Sequence, residues 1–355
     1  MDERPVLIMA GGTGGHIFPG LAVAAELAAR KIPVVWLGAE GGLETRLVPA
    51  HKIPLETLAI GGLRGKGLAT KLAMPLRLAR AVFAARAVLK RHAPRSVLSM
   101  GGYAAAPGGI AARLMKVPLI VHEQNSIAGL TNRQLARHAR RVLTGFDGVF
   151  AQGEWVGNPV RAEIAALPEP AQRYAGRTGP LHLLVLGGSQ GAQSLNSALP
   201  EVLRRRGAKL PVVVRHQCGA KHLDKAQAAY LAAGIEAEVV PFEDDMAAAY
   251  AWADLVICRS GALTLAELAA AGAPAILVPY PHAVDDHQTR NAQVLVAAGA
   301  ARLVPEGDDF VKRLGVVLDE FGDHAALLPM AEAARRLAKP DAARRIADAC
   351  LEVAA

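Results

Sequence analysis

Apolar residues fall into short runs separated by longer amphipathic stretches. A first set comprises Val6–Met9, Val34–Leu37, Glu56–Ile60, Ser96–Met100, Leu119–His122 and Arg141–Thr144. A second set comprises Leu181–Leu186, Pro211–Arg215, Ala237–Val240, Asp254–Cys258, Ala275–Pro279 and Ala301–Val304. Each run has strand length, and helical patterns fill the gaps. Such alternation predicts parallel sheets covered on both faces by right-handed crossovers. Between the sets, Asn158–Pro180 carries Pro159, Pro168, Pro170 and Pro180 with little apolar periodicity, and reads as an interdomain linker. The expectation is an α/β chain of two doubly wound domains, residues 1–160 and 161–340. A helix is expected over 341–355 after Pro340. The pattern does not assign that helix to a domain; a return onto the first is the expectation.

Both sets open with an apolar run, a glycine loop and a helical stretch. In MAGGTGGHIFPG (9–20) the loop is Gly11, Gly12, Thr13, Gly14 and Gly15, followed by His16. In LHLLVLGGSQGA (181–192) it is Gly187, Gly188, Ser189, Gln190 and Gly191. Strand, glycine loop and helix N-terminus together make a phosphate site, and the Ser189 hydroxyl can add a donor. The first loop is not a P-loop, because no Lys-Ser/Thr follows. Ile17 stands where a dinucleotide fingerprint has its third glycine, although Glu40 could serve a ribose. The helix dipole disfavours a cationic His16, which suits a general base; a capping or packing histidine is the alternative.

Four further clusters follow strands. Gly101-Gly102-Tyr103 to Gly109 could admit a ligand to the backbone or be a flexible connection. His122-Glu123-Gln124-Asn125 would be costly if buried unpaired, which favours ligand contacts. Glu267, early in the helix after Cys258-Arg259-Ser260-Gly261, could accept from a ribose diol or simply pair with the dipole. Pro279 to Asn291 is dense in groups that bond sugar hydroxyls. Asp285, Asp286 and His287 mimic metal ligands, but metal sites draw on separate elements, and no metal is expected.

Composition narrows the class. At 52% hydrophobic and 20% charged residues the chain is not disordered. No apolar run reaches membrane-spanning length, and Asp2-Glu3 makes a poor signal-peptide start. Cys218, Cys258 and Cys350 form no C-x-x-C pair and read as buried thiols of a reducing cytoplasm. The net charge of +8 is uneven: between Glu56 and Glu123 there is no acidic residue. That field predicts a polyanionic partner. Within it, Lys66, Lys71, Leu76, Arg77, Arg80, Phe83 and Arg86 interleave basic and apolar side chains, as an interfacial membrane patch does. A core helix with a solvated basic side is the alternative. An aromatic fraction of 4% argues against nucleic acid.

The motifs MAGGTGGHIFPGLAVA, GGLRGKG, MGGYAAAPGG, HEQNSIAGLTN, VGNPVR, GGSQGA, DDMAAAYAWAD, CRSGALTLAE and DDHQTRNA occur in that order. Together they resemble the bacterial peripheral-membrane enzymes of glycosyltransferase family 28. The resemblance implies a GT-B fold, two Rossmann-like domains facing across a cleft. It implies inverting transfer of N-acetylglucosamine from UDP-GlcNAc to the C4 hydroxyl of lipid I, giving lipid II for peptidoglycan, and so a role in cell shape and division. Donor contacts carry over to Thr13, Gly14, Gly15, Asn125, Arg161, Ser189, Glu243, Ala262, Leu263, Thr264, Leu265, Ala266, Glu267 and Gln288. Asn125 and Gln288 would hold the sugar, Glu267 the ribose, Ser189 and Arg161 the diphosphate or nearby groups, and Glu243 the uracil. His16 is the candidate base; Gly11, Gly12, Tyr103 and Glu123 are acceptor-side candidates.

No cofactor is implied. The implied partners are UDP-GlcNAc, lipid I, anionic lipids on the cytoplasmic face of the inner membrane and proteins of cell-wall synthesis. Both substrates carry a pyrophosphate, and the chain offers two phosphate-type loops. GGSQGA is expected beside the donor's phosphates, with the first loop facing the acceptor's pyrophosphate and the reacting sugars. The rival readings are a soluble UDP-GlcNAc epimerase on the same fold, a nicotinamide dehydrogenase and a nucleic-acid-binding protein.

Overall fold

A computed structural model describes residues 4–60, 74–188, 190–207, 211–321 and 324–353. The chain divides into two compact units. The first contains the described residues of 1–160 and 339–355, the second residues of 161–338.

The first unit holds β1 (Val6–Ala10), β2 (Val34–Ala39), β3 (Leu55–Leu58), β4 (Ser96–Gly101), β5 (Leu119–Glu123), β6 (Arg141–Thr144) and β7 (Glu154–Trp155). They form one parallel sheet in the order β3-β2-β1-β4-β5-β6-β7. β1 is buried along its whole length. Val6, Ile8 and Ala10 pack with Ile17, Leu21 and Ala24 of the helix Gly14–Ala29. Leu7 and Met9 pack on the opposite face with Ala85 and Leu89 of the helix Met74–His92. Helices on both faces explain why β1 reads as an unbroken apolar run.

The second unit repeats the scheme with β8 (Leu181–Leu186), β9 (Val212–Gln217), β10 (Ala237–Val240), β11 (Leu255–Cys258), β12 (Ala275–Leu277) and β13 (Ala301–Leu303). Their order is β10-β9-β8-β11-β12-β13, all parallel. Each sheet therefore winds one way from its first strand and then reverses. The reversal falls between β1 and β4, and between β8 and β11, where doubly wound folds bind ligands.

Two features depart from the sequence reading. The two-residue β7 went unseen because it is too short to show a period. The stretch 158–180 is more than a linker. It holds helices Ala162–Ala165 and Pro170–Tyr174, and it is strapped to the second unit. Tyr174 is buried and donates to the Asp254 carbonyl at 2.6 Å; Arg173 donates to the carbonyls of Tyr250 (3.0 Å) and Gly272 (2.7 Å); Arg177 pairs with the buried Asp254 carboxylate. One tyrosine and two arginines anchor this strap, so no apolar period marks it. The last helix returns to the first unit, which takes up the chain again at Lys339. In the helix Ala342–Glu352, Ile346, Ala347, Ala349 and Cys350 join the β1 core, and the Ser96 hydroxyl donates to the Cys350 carbonyl at 2.7 Å. All three cysteines are free and buried.

Candidate active site

In the first unit the glycine loops after β1 and β4 lie against each other. Gly102 has φ +93°, and a Cβ there would come within 2.9 Å of the Gly11 nitrogen. Gly101 has φ +102°, and a Cβ there would sit 3.2 Å from the His16 ring. Close approach of two loops at the switch point thus accounts for this third glycine cluster without a ligand. Gly108 and Gly109 serve packing as well: added methyls would meet Leu37 at 3.0 Å and Leu135 at 2.7 Å.

His16 lies in the first turn of the helix Gly14–Ala29, half-buried. Its Nδ1 is 3.2 Å from the Gly11 carbonyl oxygen and 3.4 Å from Thr13 Oγ1. A carbonyl only accepts, so Nδ1 carries the hydrogen and the neutral ring holds its lone pair on Nε2. Gly12, Thr13, Gly15 and Tyr103 are exposed, Gly14 is half-buried, and Gly11 is buried.

The loop is not an empty phosphate cradle. The Gly12 N–H donates to Glu44 Oε2 at 3.1 Å, and the Ala39 N–H donates to Oε1 at 2.9 Å. Glu44 is fully buried. An anionic acceptor of the protein's own already occupies the amide expected to face a pyrophosphate. The only sequence signal for Glu44 is its place two residues after the glycine pair Gly41-Gly42.

The polar strand end also turns inward. His122, Glu123 and Gln124 are buried. Glu123 accepts from the Asn125 N–H (3.0 Å), the Gly129 N–H (3.1 Å) and Asn132 Nδ2 (3.0 Å). His122 donates from Nε2 to the Gly157 carbonyl at 2.9 Å, and Gln124 Nε2 donates to its Nδ1 at 3.0 Å. Burial depresses His122 to about 4, partly offset by that carbonyl, so it is neutral at pH 7. Apart from Gln124 Oε1, which has no partner among the described residues, these groups bond within the unit, which corrects the expectation that the cluster as a whole, Glu123 included, contacts ligand. Asn125, half-buried, is the member held at the surface, on a loop that Glu123 organises.

In the second unit the loop after β8 is braced differently. Gly188 (φ +81°) donates its N–H to Gln217 Oε1 at 3.0 Å, and Gln217 Nε2 returns bonds to the carbonyls of Gly188 and Pro241, both at 3.1 Å. Ser189 lies outside the described residues.

After β11 the chain turns at Gly261 into the helix Ala262–Ala271. Ala262 and Leu265 face the core, so only their backbones could meet a ligand; Leu263, Thr264, Ala266 and Glu267 are half-buried. Glu267 is held from two sides. Arg161 Nη2 lies 2.8 Å from Oε1, and the Tyr250 hydroxyl donates to Oε2 at 3.2 Å. Burial and the Glu267 carboxylate push the fully buried Tyr250 hydroxyl well above the usual phenol range, so it remains a donor. Arg161, expected at the diphosphate, here pairs with the residue expected at the ribose.

Glu243 is buried, with Arg215 Nε 2.8 Å from its Oε2 and the Asp245 N–H on its Oε1 at 3.2 Å. Its side chain is spent inside the unit, which leaves its backbone for a base. Its neighbour Phe242, which belongs to none of the sequence motifs, is 59% exposed and presents an aromatic face. Gln288 accepts from the Tyr280 N–H at 2.9 Å through Oε1, which directs its amide NH2 elsewhere.

On the helix Met74–His92, Ala81, Ala85, Val88 and Leu89 are buried, whereas Leu76 (58% exposed), Phe83 (68%), Arg77, Arg80 and Arg86 face outward. Lys66 and Lys71 lie outside the described residues. The helix end is tied to β3, with Glu56 Oε1 2.7 Å from His92 Nε2 and 2.8 Å from Arg91 Nη1. No helix among the described residues is long and apolar enough to cross a membrane.

Comparison with known proteins matches residues 6–144 to the glycosyltransferase family 28 N-terminal domain and residues 182–346 to the glycosyltransferase family 28 C-terminal domain. The chain is 62% identical over 352 residues to the UDP-N-acetylglucosamine–N-acetylmuramyl-(pentapeptide) pyrophosphoryl-undecaprenol N-acetylglucosamine transferase of Xanthomonas axonopodis pv. citri (strain 306). That match covers 99% of this chain and 82% of the relative. It is similar to the crystal structure of Acinetobacter baumannii MurG, with a TM-score of 0.88 and 39% identity over 98% of this chain and 99% of that one. The UDP-GlcNAc 2-epimerase of Neisseria meningitidis shares the fold at a TM-score of 0.66 with 13% identity, over 98% and 100% of the two chains.

Proposed function

The chain belongs to glycosyltransferase family 28, and from that premise we propose that it moves N-acetylglucosamine from UDP-GlcNAc to lipid I. The acceptor is the C4 hydroxyl of the muramoyl sugar, the configuration inverts, and the product is lipid II for peptidoglycan. The observation that supports this most directly is the His16 imidazole, fixed through Nδ1 with its lone pair on Nε2.

The step balances simply. The acceptor hydroxyl gives its proton to His16 Nε2 while its oxygen bonds to the donor's anomeric carbon. The bond from that carbon to the β-phosphate oxygen breaks, and UDP leaves with the electron pair. On the second unit, Glu267 accepts from the ribose diol with Arg161 and Tyr250 holding the carboxylate, and the Glu243 backbone and Phe242 meet the uracil. The diphosphate lies at the loop Gly187–Gly191 and is stabilised by the backbone N–H groups that open the helix Gln193–Arg206 behind it. Asn125 and Gln288 bond the transferred sugar. Leu76, Phe83, Arg77, Arg80 and Arg86 rest on the anionic inner leaflet, where a polyprenyl acceptor resides.

His16→Ala, assayed with UDP-GlcNAc and a lipid I analogue, tests the base. General bases contribute about 10²–10⁴-fold, so a loss of kcat below about tenfold removes His16 from that role. An epimerase would need no lipid-facing helix and would convert UDP-GlcNAc without acceptor; the exposed Leu76 and Phe83 favour the transferase.

A further inference from the structure

The Gly11 carbonyl and the Gly12 N–H are the two ends of one peptide group. Its N–H end donates to Glu44 Oε2 at 3.1 Å, and its carbonyl end lies 3.2 Å from His16 Nδ1. A fully buried carboxylate and the imidazole are therefore joined through a single polarisable amide. The other carboxylate oxygen is fixed by the Ala39 N–H at 2.9 Å.

The surrounding chain is shaped to admit this carboxylate. A Cβ at Gly11 would lie 2.8 Å from Glu44 Cδ, one at Gly38 would lie 2.6 Å from Cγ, and one at Gly42 would lie 2.6 Å from Oε1. Three glycines from three separate positions thus leave space that Glu44 fills. Part of the glycine richness that resembles a phosphate loop serves a built-in anion instead.

We propose that Glu44 is a positioning residue for His16, acting through the Gly11–Gly12 peptide. This rests on the reading of His16 as the base. When Nε2 takes the acceptor's proton, the new positive charge is met at Nδ1–H by a carbonyl oxygen. That oxygen is more negative because its own amide N–H is bonded to a carboxylate in a dry environment. The Nδ1 hydrogen stays on Nδ1, and no proton passes to Glu44. The same chain of bonds fixes the ring's tautomer and orientation, as a carboxylate does directly in the serine hydrolase triad.

The test is a double-mutant cycle on the full chain with UDP-GlcNAc and a lipid I analogue. Glu44→Gln keeps the side-chain shape but turns an amide NH2 towards one of the two N–H donors. Loss of an outer carboxylate partner typically costs ten- to hundredfold, so kcat should fall by about that factor with KM for UDP-GlcNAc within about twofold. In a His16→Ala background the same substitution should lower kcat by less than about twofold, because the residue it acts through is gone. A full-strength Glu44→Gln effect in that background would show a structural role and overturn the proposal, as would a wild-type kcat for Glu44→Gln alone. Should His16→Ala alone keep kcat within about tenfold of wild type, the base assignment is what fails. Imidazole nitrogen NMR on the wild-type protein needs no variant: Nδ1–H is expected, and an Nε2–H tautomer would overturn the relay.

Discussion

Tyr250→Phe isolates the hold on the proposed ribose acceptor. The substitution deletes one hydroxyl from a fully buried ring whose shape otherwise remains. That hydroxyl donates to Glu267 Oε2 at 3.2 Å, longer than the roughly 2.5–3.0 Å usual for O–H···O bonds. Hydrogen bonds to charged groups contribute about 1.5–3 kcal/mol at ordinary length, and a bond this long contributes less. Arg161 still restrains Oε1 at 2.8 Å, so the carboxylate loses one of two guides rather than all orientation. A loss of at most about 1.4 kcal/mol corresponds to a tenfold change in equilibrium, so Kd for UDP should rise about three- to tenfold. The kcat of Tyr250→Phe should stay near wild type, since Glu267 is assigned to the nucleotide rather than to the reacting atoms. Calorimetric titration of UDP and of 2′,3′-dideoxy-UDP separates local from general effects. The penalty should vanish for the dideoxy nucleotide, which has no diol to present. Equal weakening of both nucleotides, or unchanged UDP affinity, would refute this account of Tyr250 and Glu267.

Acid should weaken both units between about pH 6.5 and 4. Burial holds His122 in the first unit and His216 in the second at about 4, against 6.5 when unfolded. Across that window the unfolded chain binds protons that the native chain does not, so stability is full above it and falls as the pH drops through it, by up to about 1.4 kcal/mol per unit for each histidine. Denaturant unfolding at about pH 7 and about pH 5, with His122→Gln flattening the first unit's dependence, checks the sign; stability that holds steady or increases towards pH 5 would contradict it. For the outer helix, Leu76→Glu with Phe83→Glu should weaken cosedimentation with phosphatidylglycerol vesicles by at least about tenfold, since each large apolar side chain gains about 1.5–3 kcal/mol on burial. Retained sedimentation would move the membrane contact elsewhere.

The frame of this protein is legible in its sequence, and the reason is burial. Strands covered on both faces are largely apolar where they are buried, so Val6–Ala10 and Leu183–Leu186 stand out as unbroken runs. Elements anchored by a few polar contacts leave no such trace. The strap from Arg161 to Pro180 is fixed by Tyr174, Arg173 and Arg177, and β7 by two ladder positions, so neither shows a period. At the site, residue types indicated chemistry but not direction. His122, Glu123 and Gln124 look like Asn125 in sequence, yet three point inward and one does not, because alternation along β5 and the turn after it decide their surroundings. Glu44 was invisible for a related reason. A carboxylate that accepts two backbone N–H groups in the interior follows no side-chain motif.

That hidden carboxylate bears on why the two glycine loops do different work. Both follow the first strand of a doubly wound sheet, and in both an N–H after the strand is bonded by a side chain from a following element: Gln217 at the end of β9, or Glu44 opening the helix Glu44–Ala50 after β2. In the second unit the partner is Gln217, a neutral amide, which fixes Gly188 without opposing an incoming anion. In the first it is Glu44, whose carboxylate lies 3.1 Å from the Gly12 nitrogen. A phosphate brought to Gly12 would compete for a donor already used and would meet a like charge at close range in a weakly screened interior. The glycines permit close approach in both loops, but the charge of the brace separates them. A neutral brace leaves the second loop compatible with the diphosphate proposed there. The GGTGG loop is better suited to an imidazole that must gain a positive charge during the reaction, and to uncharged sugar hydroxyls beside it. On this basis the acceptor's pyrophosphate should be met by basic side chains of the first unit rather than by the Gly12 amide, which revises the reading suggested by the glycines alone.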